Sequence, residues 1–334
     1  MAPKFLATIG LLALLCVAPA LSHAQAADRG ELAVFAQIKR LAQQVSLEQL
    51  DGFQQRREEW RNAPMGYSNS RLQLHYGGLE LDWRGDAPSR FDGTLTGFRA
   101  SHDFFAGPTC NGSQQAGVSA GSSFASGDSF ARRRDGSNGQ VGTNDLQSYF
   151  VGAYFSDLRN SGRYLDLQAK VAYLRVQTDT YRGASGDTHG VQLALAAEAG
   201  YDLALTERYG IEPQLQLLAN YTNLAVIDAG RYAVDSDVTP ELALRAGVRA
   251  YRSDRPHFAY ANLWQILDGD DELYSSSAAD LRHQRGARWM ELGVGTRLLT
   301  LPMGDLSLDL RYRTSVDDHD WQGLRAGLGF SWAW

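Results

Sequence analysis

The residues most able to do chemistry are charges set in the middle of segments whose polarity alternates. Lys170, Glu198, Glu212, Glu291, Arg245 and Arg311 all sit this way. A charge at mid-strand needs water or an opposite charge facing it, so this pattern points to ion networks lining a wet or filled interior. Hydrolysis by a Ser-His pair finds little support. None of His75, His102, His189, His257, His283 or His319 is followed two residues later by a Ser on the same strand face. Asp268, Asp270, Asp271 and Glu272 could offer oxygen ligands to Ca²⁺, but their spacing is not that of an EF-hand loop, and a solvated acidic loop is the simpler reading. Arg132, Arg133 and Arg134 could contact phosphates, although an ordinary charged loop is favoured. No catalytic group, metal site or cofactor is expected.

The elements that would position these side chains begin with an export signal. Lys4 precedes an apolar run from Phe5 to Leu21, and Ser22-His23-Ala24-Gln25-Ala26 follows, which predicts a secretory signal peptide over residues 1–26. Its removal takes away Cys16 and leaves Cys110 alone, so no intramolecular disulfide can hold the exported chain. The balance of 32 Lys+Arg against 38 Asp+Glu, net −6, leaves no basic excess for nucleic acid.

Residues 28–65 read as helix. Leu32, Phe35, Ile38, Leu41, Ala42 and Val45 recur at three- and four-residue spacing. Asp28 with Glu31 and Ser46 with Gln49 resemble capping boxes, the second suggesting a restart or kink near Ser46, and Pro64 and Gly66 end the segment. About 30 helical residues would reach roughly 45 Å, beyond the ~30 Å hydrocarbon core of a bilayer. A helical hairpin outside the membrane is the alternative.

From Leu72 onward the period changes to two. Leu306, Leu308, Leu310 and Tyr312 alternate with Ser307, Asp309, Arg311 and Arg313, and Leu165, Leu167, Ala169, Val171 and Tyr173 alternate with Asp166, Gln168 and Lys170. Twelve such segments are legible. Their connections alternate in length, with long ones expected at 84–93, 127–146, 179–187, 223–237, 268–287 and 314–320, and shorter ones between them, from eight residues around Cys110 down to four at 159–162. Tilted strands of about ten residues cross a bilayer, and a closed barrel leaves no backbone group unpaired in hydrocarbon. The fold class expected is therefore all-β, a 12-stranded antiparallel transmembrane barrel over residues 67–334, preceded by a helical segment over 27–66.

These strands resemble the C-terminal translocator domain of autotransporters (type V secretion), nearest the pertactin-like group. The resemblance runs from Leu72 to Trp334 and rests on Phe150-Val151-Gly152-Ala153-Tyr154, Gly162-Arg163-Tyr164-Leu165-Asp166, Thr188-His189-Gly190, Glu198-Ala199-Gly200-Tyr201, Gly210-Ile211-Glu212-Pro213-Gln214, Leu244-Arg245-Ala246-Gly247-Val248-Arg249 and Trp289-Met290-Glu291-Leu292-Gly293-Val294-Gly295. It implies a helix threaded through the pore, with Glu198 and Glu212 facing the lumen and Arg245, Arg249 and Arg325 neutralising them there. It also implies that Phe330, Trp332 and Trp334 form the signal read by the barrel-assembly machinery. Two departures matter. Fewer than 50 mature residues precede Leu72, too few for a usual passenger. The helix also lacks the Asn-Asn pair at which some members cleave themselves; its only Asn is Asn62. The expectation is a non-enzymatic, monomeric outer-membrane barrel plugged by its own helix, with outer-membrane lipid, lipopolysaccharide and the assembly machinery as partners and nucleic acid excluded. A small-solute channel and a surface adhesin acting through its outer loops are the alternatives.

Overall fold

Alternating polarity over 263 residues leaves the backbone one economical solution, a sheet that meets itself. The computed structural model describes residues 30–50, 54, 56–57, 68–133, 135–229, 233–236, 240–268, 271–276, 280–284, 287–317 and 321–333. The signal segment, Asp28, Asn62, Arg134, Asp270, His319 and Trp334 therefore lie outside the described residues. Twelve strands form the wall: β1 (Asn69–Gly85), β2 (Ser89–Thr109), β3 (Gly112–Arg132), β4 (Asn138–Arg159), β5 (Arg163–Thr180), β6 (Ser185–Tyr201), β7 (Tyr209–Leu224), β8 (Glu241–Arg252), β9 (His257–Asp268), β10 (Arg288–Leu301), β11 (Gly304–Ser315) and β12 (Trp321–Ala333). Each pairs antiparallel with the next, and β1 closes on β12 from Asn69 opposite Ala333 to Leu81 opposite Trp321. The strand ends Asn69 and Ala333 define a terminal end; the turns after β1, β3 and β5 define the far end.

The polarity of the wall is that of a membrane barrel. Along β5, Leu165, Leu167, Val171 and Tyr173 are exposed, whereas Asp166, Gln168 and Lys170 are buried. Nine residues at ~3.3 Å, tilted by about 40°, give an apolar band roughly 20–25 Å tall, matching the hydrocarbon thickness an outer-membrane barrel needs. Above the band the pattern inverts. On the same strand Leu174 and Val176 point inward and Arg175, Gln177 and Asp179 outward. β1 inverts between Tyr76 and Glu80, and β10 has Trp289 inside while Met290 and Leu292 lie outside. Beyond the band the wall has the polarity of a water-soluble sheet.

This inversion explains where the sequence reading of the loops fails. β3 and β4 stay paired out to Arg132 opposite Asn138, so the expected 20-residue loop over 127–146 shrinks to 133–137. The expected connection at 84–93 shrinks to 86–88 and the one at 179–187 to 181–184; at the terminal end, away from the inverted tier, the turn around Cys110 also shrinks, to Cys110 and Asn111. Strand polarity that has reversed does not look like a membrane strand, although its hydrogen-bond ladder continues. The two longest connections also carry strands. Ile227–Asp228 pairs with β6 and with Ala233–Ser236, Ala233–Ser236 with Asp271–Ser276, Asp271–Ser276 with Asp280–Gln284, and Asp280–Gln284 with Arg84 and Gly85 of β1. Six long strands and these four short ones thus form a second closed ring stacked on the first.

The helix α1 runs unbroken over residues 30–50, with residues 54, 56 and 57 also helical. No restart occurs at Ser46; its hydroxyl leaves the helix and donates to Asn220 Oδ1 at 3.3 Å. Every described residue of α1 is buried inside the barrel, on the polar and apolar faces alike.

Candidate pore plug

The far half of the bore is filled largely by apolar side chains. Leu32, Phe35, Ile38 and Leu41 of α1 join Leu81, Trp83, Phe91, Leu146, Leu174, Val176, Trp264, Trp289 and Trp321 in one buried apolar cluster. These wall residues face inward because the polarity of their strands has inverted. Trp264 stacks on Trp289 with centroids 5.3 Å apart, and Trp321 meets Trp289 edge-on at 5.0 Å. Polar ties also cross this tier. Asn144 Nδ2 donates to Val34 O at 2.9 Å, Ser129 Oγ to Gln37 Oε1 at 2.7 Å, and Gln192 Nε2 to Ala42 O at 3.1 Å. At the rim Arg182 pairs with Glu31 at 3.3 Å, and Gly30 lies so close to Arg132 O that a Cβ there would sit 2.5 Å from it.

At the level of the lipid band the contacts become ionic. Glu48 is gripped by Arg313 and Arg325, with Arg311 at 3.9 Å. Arg313 Nε also meets Glu291 Oε2 at 2.5 Å, and Asn262 Nδ2 donates to the other oxygen of Glu291 at 2.8 Å. Across the bore Lys170 Nζ donates to Ser46 Oγ at 2.8 Å and to Gln49 Oε1 at 2.7 Å, while Gln49 Nε2 donates to Ser148 Oγ at 2.9 Å. The Arg99 guanidinium donates to Gln49 O. Nearer the terminal end Arg56 makes a two-oxygen contact with Asp166 at 2.9 and 3.0 Å. Arg57 and Arg249 share Glu212 at 2.6 and 2.9 Å, and Arg245 pairs with Glu198, which accepts from Tyr164 at 2.9 Å. Buried charges are stable only when paired in this way, so helix and wall are electrostatically incomplete without each other.

Lys170, Glu198, Glu212, Arg245, Arg249, Glu291 and Arg311 are buried with their side chains inside the bore, and Arg325 lies there half-buried. They do not form one cluster. Arg325 serves Glu48 and Asp309, at 3.4 Å, rather than Glu198 or Glu212. Sequence reading missed the helix's own half of the network. Glu48, Arg56 and Arg57 look like the solvated face of an amphipathic helix; charges beside an apolar periodicity, ahead of strands with mid-face charges, were the available signal. Of the three terminal aromatics, Phe330 and Trp332 lie with rings 5.5 Å apart at the end of β12. Arg132 and Arg133 donate to carbonyls of their own hairpin, Gly136 O at 3.3 Å and Gln140 O at 3.0 Å. Cys110 is exposed in the β2–β3 turn. Among the described residues no group of His, Cys, Asp and Glu is arranged to hold a metal.

Inward rings complete the lining. Tyr154, Tyr164, Tyr251, Phe258 and Tyr260 each lie flat on a directly opposite glycine of the neighbouring strand, at Gly117, Gly200, Gly210, Gly295 and Gly293. A Cβ at Gly293 would sit 2.2 Å from the Tyr260 ring, so glycine alone leaves room there. Toward the terminal end a cavity of about 370 Å³ stays open beside the helix, lined by His75, Phe258, Tyr260, Asp309 and Arg325 among others.

The family described as Autotransporter beta-domain matches residues 75–313 of this chain. Among solved structures, the transport unit of the autotransporter AIDA-I from Escherichia coli is similar at 12% identity and TM-score 0.63, over 80% of this chain and 90% of that one. The translocator domain of NalP from Neisseria meningitidis is similar at 14% identity and TM-score 0.60, over 91% and 97%. The beta domain of the Bordetella autotransporter BrkA is similar at 17% identity and TM-score 0.53, over 80% and 99%. At these identities the likeness establishes the fold. No curated protein matches in sequence.

Proposed function

Since the chain belongs to the autotransporter β-domain family, we propose that it is an outer-membrane translocator barrel whose N-terminal helix stays in the bore as a permanent, non-conducting plug. Residues 1–26 are removed on export, the terminal end faces the periplasm and the far end faces outward. The barrel holds no catalytic centre, and Phe330, Trp332 and Trp334 serve its insertion by the assembly machinery.

The observation that carries this reading is the fit of α1 to the bore along its whole length. Its apolar stripe packs against the far tier and its charges pair with the lower ones, so withdrawal would expose about a dozen apolar side chains and strand several buried charges. At roughly 1.5–3 kcal/mol per large apolar side chain, no thermal fluctuation empties such a bore. Planar-bilayer recording tests it. The full chain should show no steady conductance, and deletion of residues 28–57 should open a channel. Steady conductance of the full chain would instead favour the small-solute channel, for which the cavity beside Tyr260 is the supporting feature.

A further inference from the structure

A barrel closes only when its first and last strands agree on a register. Turns and connections help fix the register of strands that follow one another, but no turn joins β1 to β12. Alternating polarity excludes a slip by one residue and is indifferent to a slip by two. Inside the bore the seam itself offers little that would choose. Arg71 stands opposite Ser331, Gln73 opposite Gly329, His75 opposite Gly327, Gly77 opposite Arg325 and Leu79 opposite Gly323. Each of these pairs sets one residue against glycine or serine, so no two long side chains interlock. Only the last rung, Leu81 against Trp321, joins two large side chains. On the outward face Leu72, Leu74 and Tyr76 meet Phe330, Leu328 and Ala326, apolar partners that lipid accepts in any order. Strands this rich in glycine specify their register weakly.

Two successive residues of α1 hold the wall on both sides of β1. Glu48 takes Arg325 of β12 and Arg313 of β11. Gln49 is held from the other side. Its carbonyl accepts from Arg99 of β2, and its side chain accepts from Lys170 of β5 at 2.7 Å and donates to Ser148 Oγ of β4 at 2.9 Å. Between these grips β1 presents Gly77, directly opposite Arg325, so no β1 side chain stands there. A slip of two residues would carry Arg325 roughly 6.6 Å along its strand, at ~3.3 Å per residue. That takes it out of contact with Glu48 while Gln49 keeps the helix on β2, β4 and β5. Asp309, the other carboxylate on Arg325 at 3.4 Å, lies on the hairpin partner β11 and would travel with it. Glu48 therefore distinguishes registers that the seam does not.

We infer that α1 is the template that sets the register in which β1 closes on β12, with Glu48 as its positioning residue. The inference needs only the closed barrel, not the permanence of the plug. It is tested on the exported chain carrying Cys110→Ser, refolded from urea into detergent. Leu74→Cys is combined in turn with Leu328→Cys, its partner in the structure, and with Ala326→Cys or Phe330→Cys, its partners after a slip of two. A disulfide bridges only Cα atoms within about 7 Å, so each pair reports one register. Disulfides are read in the compact gel band alone. The native pair should dominate in the parent, and Glu48→Ala should lower the ratio of native to slipped disulfide about tenfold, as loss of a buried charge pair requires. Glu48→Gln, which keeps the length of the side chain, carries the same expectation where the alanine variant does not reach that band. Trp289→Ala, weakened in the far tier, should keep the native pair. An unchanged ratio in the Glu48 variants overturns the inference. So does slippage in Trp289→Ala, which would make register a matter of stability at large.

Discussion

Glu48 is the residue on which the lower bore turns. Among the described residues it is the helix carboxylate that faces Arg311, Arg313 and Arg325, which also meet Glu291 and Asp309. Glu48→Ala should therefore destabilise the barrel by about 3–5 kcal/mol, the cost of leaving buried charges without their partner. It would be read as a lower temperature for loss of the compact gel band. Trp289→Ala, which opens a hole between Trp264 and Trp321, should cost about 3–5 kcal/mol by the same assay without disturbing the ionic tiers. Gly293→Val pushes the Tyr260 ring off its seat and away from Arg311, whose Nε donates to Tyr260 at 2.8 Å. A loss of roughly 1–3 kcal/mol is expected from such overpacking. The wall's half of these contacts was legible because strand alternation assigns each charge a side. The helix's half was not, because an amphipathic period carries no sign that both faces will be covered.

Among the elements, α1 shows how context rewrites a local pattern. Its apolar stripe predicts a helix lying on a surface, yet Lys39, Arg40, Gln43 and Gln44 on the opposite face are buried as well. The covering comes from strands more than 100 residues distant, as Asn144, Gln192 and Lys170 show. Leu41→Asp places an unpaired carboxylate in the apolar cluster and should release the far half of α1 while the ionic lower half holds. Protease added to intact cells would then cut within residues 30–42 of the variant and leave the parent untouched; equal resistance would count against the two-tier description. The strands were read correctly in number and order, and short by several residues at the far end, where β3 and β4 outlast their lipid-facing pattern.

On the scale of the whole molecule, two closed rings with opposite surface polarity share one wall and one filling. The lower ring, twelve-stranded, turns its apolar side to lipid; the upper, ten-stranded, turns it inward onto Phe35, Trp83 and Trp289. Only the lower ring was legible, since four of the upper strands lie inside connections and pair with distant partners. With β1 and β12 joined along their length around a buried α1, the helix is a thread held in a sewn sleeve. It can leave only if the stitching runs out or if the leading end is dragged back through. Its amides should therefore exchange deuterium no sooner than those of the β1–β12 seam, and the two sets should share one time course.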